Sequence, residues 1–208
     1  MPFDFYSIGH SNIPAERFVT MLRATGVCAM ADVRSTPVSR FCPWFSAKNL
    51  APLLAGEGVA YLPYGKTLGG RPRDSALYCN GIADYEAMAR QPEFAASLGR
   101  LLVDASRTKG CVCLLCAERD PLDCHRCLLV GRALANHGQR IGHILFDGTI
   151  EPHPATEQRL LALDAESGGL FAAGQDERLA AAYHHRNRAV AYRAKAPAQV
   201  ATARRTRQ

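Results

Sequence analysis

The sequence predicts an α/β fold: a three-layer sandwich with a mostly parallel central sheet, plus a basic C-terminal tail that is partly helical and disordered at its end. Two patterns carry this expectation. Five short apolar runs, at 5–8, 27–33, 59–62, 111–116 and 141–146, have the length of strands, and amphipathic stretches of helical length separate them. Strand–helix–strand repetition also demands right-handed crossovers, which cover both faces of a parallel sheet with helices.

The elements follow in order. After the first run, Ser11 or Asn12 is placed to cap a helix with Pro14 in its first turn, running through Phe18, Met21 and Leu22 to Gly26. Ser46 opens a second helix through Leu50, Leu53 and Leu54, stopped near Gly56 and Gly58. Residues 83–90 and 92–107 read as two more, joined at Gln91-Pro92, because proline is tolerated in the first turn of a helix. A further helix spans 124–137 and ends at Gly138. After about Asp164 the composition turns to glycine, then to alanine and arginine. This divides the chain into a core at 1–164 and a tail at 165–208, with a basic helix expected at 176–195 and disorder at 196–208.

A chain of 208 residues with 48% hydrophobic content is long enough to bury one full core. The net charge of +6 belongs to the tail: from Leu179 onward there are seven basic residues and no acids, so the rest holds 18 Lys and Arg against 19 Asp and Glu. An anionic partner is therefore expected for the tail more than for the core. No apolar run approaches the ~18 residues of a membrane-spanning helix. The first residues lack a basic stretch followed by an apolar one, so no export signal is expected, and the eight cysteines read as free thiols in a cytoplasmic protein. Nothing in the sequence sets an oligomeric state.

Polar residues fall after the strands again and again. In a parallel sheet those loops share one edge, where open α/β folds bind ligands. His10 and Ser11 follow the first strand; Asp32, Arg34, Ser35, Ser39 and Arg40 the second; Tyr64, Lys66, Gly69, Gly70 and Arg71 the third. Cys116, Glu118, Cys124, His125 and Arg126 follow the fourth, and Asp147 the fifth. Cys116 stands at a strand end and Cys124 at the next helix start, where unpaired N–H groups, Arg126 and a protonated His125 favour a thiolate. Asp32, Arg34 and Arg40 form either a fork for phosphate or carboxylate or an internal ion pair that fixes the loop. Lys66, Gly69 and Gly70 belong to a glycine-hinged basic loop that closes over an anion or simply turns. Cys113-x2-Cys116 with Cys124-x2-Cys127 has four-cysteine character, but strand and helix geometry points the members of each pair apart. Dinucleotide, P-loop and Gly-x-Ser-x-Gly motifs are missing, Cys116 and Cys124 both lack the arginine of a Cys-x5-Arg phosphate cradle, and no cofactor or resident metal is expected.

The motifs Ser7-Ile8-Gly9-His10-Ser11, Asp32-Val33-Arg34-Ser35-x-Pro37-x-Ser39-Arg40, Leu68-Gly69-Gly70 and Leu115-Cys116-Ala117-Glu118…Cys124-His125-Arg126 occur in this order. Over roughly 5–148 the chain resembles domain-of-unknown-function family 488. The resemblance implies an α/β sandwich with these motifs at one edge. Cys116 and Cys124 match the family pattern, whereas Cys111, Cys113 and Cys127 lie outside it.

The leading expectation is a thiol-dependent enzyme acting on a phosphate-bearing substrate, a nucleotide or nucleic acid. Cys116 or Cys124 would be the nucleophile, and Asp32, Glu118 and His10 the proton-transfer groups. Ser11, Arg34, Ser39, Arg40, Lys66, Gly69, Gly70, His125 and Arg126 would bind the substrate. The alternatives are a non-catalytic module that binds nucleotide or nucleic acid, and a cysteine-ligated metal site.

Overall fold

A computed structural model describes residues 2–166 and 174–194. In chain order its strands are β1 (Phe5–Gly9), β2 (Val27–Asp32), β3 (Ala60–Pro63), β4 (Tyr78–Cys79), β5 (Ile82–Ala83), β6 (Cys111–Cys116), β7 (Ile141–Ile144) and β8 (Ile150–Pro152). Six of them form one sheet in the order β3-β2-β6-β1-β7-β8, parallel except for the antiparallel edge strand β8, while β4 and β5 make a small hairpin. The fold is the expected α/β sandwich. Strand β6, Cys-Val-Cys-Leu-Leu-Cys, is buried at all six positions because it lies between β2 and β1 with helices on both faces. Its unbroken apolar run is the signature of that central place.

The helices are α1 (Ala15–Thr25), α2 (Ala47–Gly56), α3 (Gly65–Leu68), α4 (Tyr85–Ala89), α5 (Pro92–Arg107), α6 (Arg132–Asn136), α7 (His153–Glu166) and α8 (Gln175–Val190). One face of the sheet packs Phe18 and Leu22 of α1 and Leu50 and Leu54 of α2 against Tyr6, Ile8, Met30 and Leu115. The other packs Met88, Phe94, Leu98, Leu101, Leu134, Leu160 and Tyr183, from α4 through α8, against Phe5, Ala31, Val112 and Leu114. The alternation along β1 and β6 therefore serves two cores at once.

Three local features differ from expectation. Helix α1 begins after Pro14 with no side-chain cap, because Ser11 sits in a turn at φ 42° with its N–H on Ala117 O. The expected helix at 124–137 opens instead with a π-helical turn, Arg126–Gly131, which runs into α6, and Cys124 precedes it in extended conformation. Strand β8 and helix α7 carry no clear periodic signal in the sequence and were not expected. The basic helix expected at 176–195 is α8, and the disorder expected at 196–208 falls outside the described residues.

Helix α8 is fastened to the rest. Ala182 and Tyr183 are buried in the core, Asn187 Oδ1 accepts the Tyr85 N–H at 2.8 Å, and its Nδ2 donates to Ala83 O at 2.9 Å. Among the described residues no helix is long and apolar enough to cross a membrane.

Candidate functional site

Strand order fixes the site. The chain runs outward from β1 to β2 and β3, returns to insert β6 between β2 and β1, then moves the other way to β7. Order reverses over β2, β6 and β1, the place where open α/β sheets bind ligands. Register puts Gly9 beside Cys116 and Asp32 beside Leu115, so three strand ends finish level. There the backbone folds across itself. His10 donates its N–H to Cys116 O, and a Cβ on Gly9 would fall 1.7 Å from Glu118 O. Only glycine admits that approach.

Above these ends lies a cleft of about 440 Å³. Of the expected site residues, His10, Arg34, Ser39, Gly70, Cys116, Glu118 and His125 line it. Cys124 and Arg126 lie directly behind it, fully buried. Asp32 lies beneath, and the rest stand apart. Ser11 faces a turn, Arg40 is exposed on the following loop, and Lys66 and Gly69 line a neighbouring depression with Arg73 and Asp74. Gly70 lies against the His125 ring, where a Cβ would come within 2.7 Å of Cγ.

The two thiols form the centre. Glu118 Oε2 is 2.9 Å from Cys116 Sγ and 3.0 Å from Cys124 Sγ, and His125 Nδ1 lies 3.6 and 4.0 Å from the same sulfurs. All four donor atoms are within 4.8 Å of one another. His125 Nε2 is 2.9 Å from Val33 O, which makes that nitrogen a donor and turns Nδ1 toward the thiols. The Arg126 N–H points at Cys124 Sγ at 3.4 Å. The Arg126 guanidinium donates to Glu118 O at 2.7 Å and Arg119 O at 3.1 Å, and its Nε has no hydrogen-bond partner among the described residues. Among the described residues it forms no ion pair with a carboxylate.

These surroundings split the thiols. Burial opposes ionisation of Cys124, but the hydrogen bond from Cys116, the Arg126 charge and His125 outweigh it and hold the Cys124 thiol well below the ordinary range. Cys116 moves the other way, pushed up by burial and by the negative charge on Cys124 and Glu118. The pair is therefore biased to lose its first proton from Cys124 while Cys116 holds its own. Burial favours the neutral imidazole of His125, yet its contact with Cys124 prevails and raises its pKa. Burial and the charge of Cys124 raise Glu118, whose residue reaches the surface while its carboxyl turns inward to the sulfurs.

Asp32 and Arg34 are committed to each other. Arg34 Nε and Nη2 donate to the two Asp32 oxygens at 2.8 and 2.5 Å, and Nη1 donates to Phe45 O at 2.8 Å. Tyr61 OH adds a bond to Asp32 at 2.6 Å. His10 Nε2 accepts from Arg34 Nη1 at 3.1 Å while Nδ1 donates to Ser11 O at 3.0 Å, and its ring stacks on Phe45. Burial, with Arg34 adding to it, pulls the His10 pKa down to about 4. This chain forms a rigid floor for the cleft.

Sequence reasoning missed the opposite wall. Tyr85, Asp123, Val190 and Tyr192 line the cleft. Burial and the charges of Cys124, Glu118 and Cys116 raise the Tyr85 phenol, which stays protonated and able to donate. Tyr192 carries Arg71 over its ring at 4.8 Å, and the Arg71 N–H is held by Ser35 Oγ at 3.0 Å. Arg186 of α8 bonds Leu122 O and pairs with Asp123. Val190 and Tyr192 follow α8 rather than a strand, Tyr85 follows only the two-residue β5, and no motif marks them.

A family model, described as a domain of unknown function, DUF488, matches residues 14–133, more than half of the chain. No curated protein matches, and no solved structure matches.

Proposed function

The chain belongs to the domain-of-unknown-function family DUF488, and from its own residues we propose that it is a thiol-dependent enzyme of the reducing cytoplasm acting on a phosphate-bearing substrate, a nucleotide or nucleic acid. One observation carries this reading: the guanidinium of Arg126 is fully buried beside Cys124 and, among the described residues, has no carboxylate for a partner. An uncompensated buried charge costs several kcal/mol, roughly 3–5 when one partner of a pair is missing. A thiolate on Cys124 supplies the missing negative charge.

Cys116 presents its side to the cleft and Cys124 stands behind it. In this reading Cys116 passes its proton to the Cys124 thiolate and attacks the bound substrate, and Glu118 protonates the leaving group. Tyr85, held protonated, donates to a developing negative oxygen. Arg71 on the cleft wall binds the anionic group. Arg34, saturated by Asp32 and Phe45 O, shapes the floor instead. Exposed Arg40 and Phe41, next to cleft residues Val38 and Ser39, suit a base and its phosphate at the rim.

The test is alkylation by iodoacetamide across pH, read by mass spectrometry. One thiol of the pair is expected to label near pH 7 far faster than the other six cysteines. Arg126→Met is expected to slow it about tenfold or more, the effect of one pKa unit. Uniformly slow labelling of Cys116 and Cys124 below pH 9 sinks the proposal. A second reading rests on the four donors within 4.8 Å: Cys116, Glu118, Cys124 and His125 would hold a metal ion. Stoichiometric metal in the purified protein, lost together with Cys124, favours that reading over the free thiolate.

A further inference from the structure

Away from the cleft, a second cluster of donors lies buried between the sheet and α7. His143 comes from β7, His153 from the first residue of α7, and Cys127 from the π-helical turn. They are 1%, 3% and 0% exposed, and none lines the cleft. His143 Nε2 is 2.9 Å from His153 Nδ1 and 3.8 Å from Cys127 Sγ, and the three donor atoms fall within 4.8 Å of one another.

The outer nitrogens are each fixed by oxygen. Ser7, the register neighbour of His143 on β1, brings its Oγ to 2.7 Å from His143 Nδ1. Tyr183 OH lies 3.2 Å from His153 Nε2 and donates to Glu157 Oε1 at 2.9 Å; Glu157 itself is 3.5 Å from the same nitrogen. Outer partners of this kind set the tautomer and orientation of histidines that bind metal through the other nitrogen. A simple imidazole–imidazole hydrogen bond would need two of these residues. The third, a soft sulfur aimed at the same point, has no part in such a bond.

We propose that Cys127, His143 and His153 hold one thiophilic d10 metal ion, Cu(I) or Zn(II). With metal–nitrogen bonds of about 2.0 Å and a metal–sulfur bond of about 2.3 Å, trigonal or tetrahedral edges are roughly 3.4–3.7 Å. The edge from Cys127 to His143 is already near that length, the edge from Cys127 to His153 is within 4.8 Å, and the nitrogen–nitrogen edge has to open by about half an ångström from its hydrogen-bonded value. One thiolate and two neutral imidazoles make a monovalent ion electrically neutral, which suits a buried place near the guanidiniums of Arg126 and Arg159. Zn(II) leaves one positive charge and a fourth position for water.

The test separates this site from the cleft. Full-length protein carrying Cys116→Ser and Cys124→Ser is refolded from urea with excess Zn(II) or, without oxygen, with Cu(I), so that burial does not bar entry. Loose metal is removed on a chelating resin and the remainder counted by mass spectrometry. One equivalent of one of the two ions is expected, identifying which, and adding Cys127→Ser is expected to lower it at least tenfold with unchanged circular dichroism. If the double variant does not refold, wild type and Cys127→Ser are compared directly, and one equivalent is expected to be lost. Retention of neither ion, or retention that Cys127→Ser leaves unchanged, overturns the site while leaving the thiolate in the cleft untouched.

Discussion

His10 ties acid sensitivity to the floor of the cleft. Its folded pKa of about 4 lies below the ordinary 6.5, because burial and Arg34 disfavour the imidazolium. Between those values the unfolded chain binds a proton that the folded protein refuses. The contribution is therefore fully present above pH 6.5 and is lost as pH falls toward 4. Linkage gives about 2 kcal/mol lost between pH 7.5 and pH 5 from this one residue. For a chain of this size that is about 4–8 °C in melting temperature. His10→Gln keeps an acceptor for Arg34 and a donor for Ser11 O but cannot ionise. Urea unfolding of both proteins at the two pH values isolates the effect, because the buried His143 and His153, shifted in the same direction, cancel in the difference. The variant starts lower, having lost the stack on Phe45, but its stability should fall by about 2 kcal/mol less. Parallel losses within about 0.5 kcal/mol refute the reasoning.

Two further outcomes follow from the same geometry. The sulfurs of Cys116 and Cys124 lie within 4.8 Å and both cysteines are free, so mild oxidant should join them and remove two titratable thiols from the eight. Peptide mapping that finds another pair oxidised first contradicts the arrangement. Asn187→Leu leaves the Tyr85 N–H and Ala83 O buried without a partner, a loss of about 2–4 kcal/mol at roughly 1–3 per orphaned group. A change below about 0.5 kcal/mol in denaturant unfolding would mean that α8 does not hold α4 in place.

Much of this was legible in the sequence because a parallel sheet turns strand order into geometry. Once five runs read as strands, the residues after them had to share an edge, and Cys116, Glu118, Cys124, His125 and His10 meet there. What each residue does at that edge was less legible. Asp32 and Arg34 are two positions apart, a spacing that serves a ligand fork and an internal pair equally well; only the contacts to Phe45 O, Tyr61 and His10 decide between them. Tyr85 and Tyr192 reach the cleft through the hairpin and α8, which no local pattern links to the strands of the main sheet. Helix α7 has its polar and apolar residues spread around it, so periodicity did not reveal the element that brings His153 to His143.

Two guanidiniums are buried at the same sheet edge, and their difference bears on function. Arg34 meets the bidentate carboxylate of Asp32 and fills its remaining valence with Phe45 O and His10. That is how a fold neutralises an arginine it uses for support. From Glu118, Arg126 receives only the backbone oxygen, while the Glu118 side chain turns to the sulfurs. A carboxylate partner would neutralise the Arg126 charge as Asp32 does that of Arg34, in the bidentate geometry that fits a guanidinium. The arrangement keeps the positive charge of Arg126 beside Cys124 and the Glu118 carboxyl between the two thiols. The reaction we propose, which begins from a thiolate and ends by protonating a departing atom, would use both.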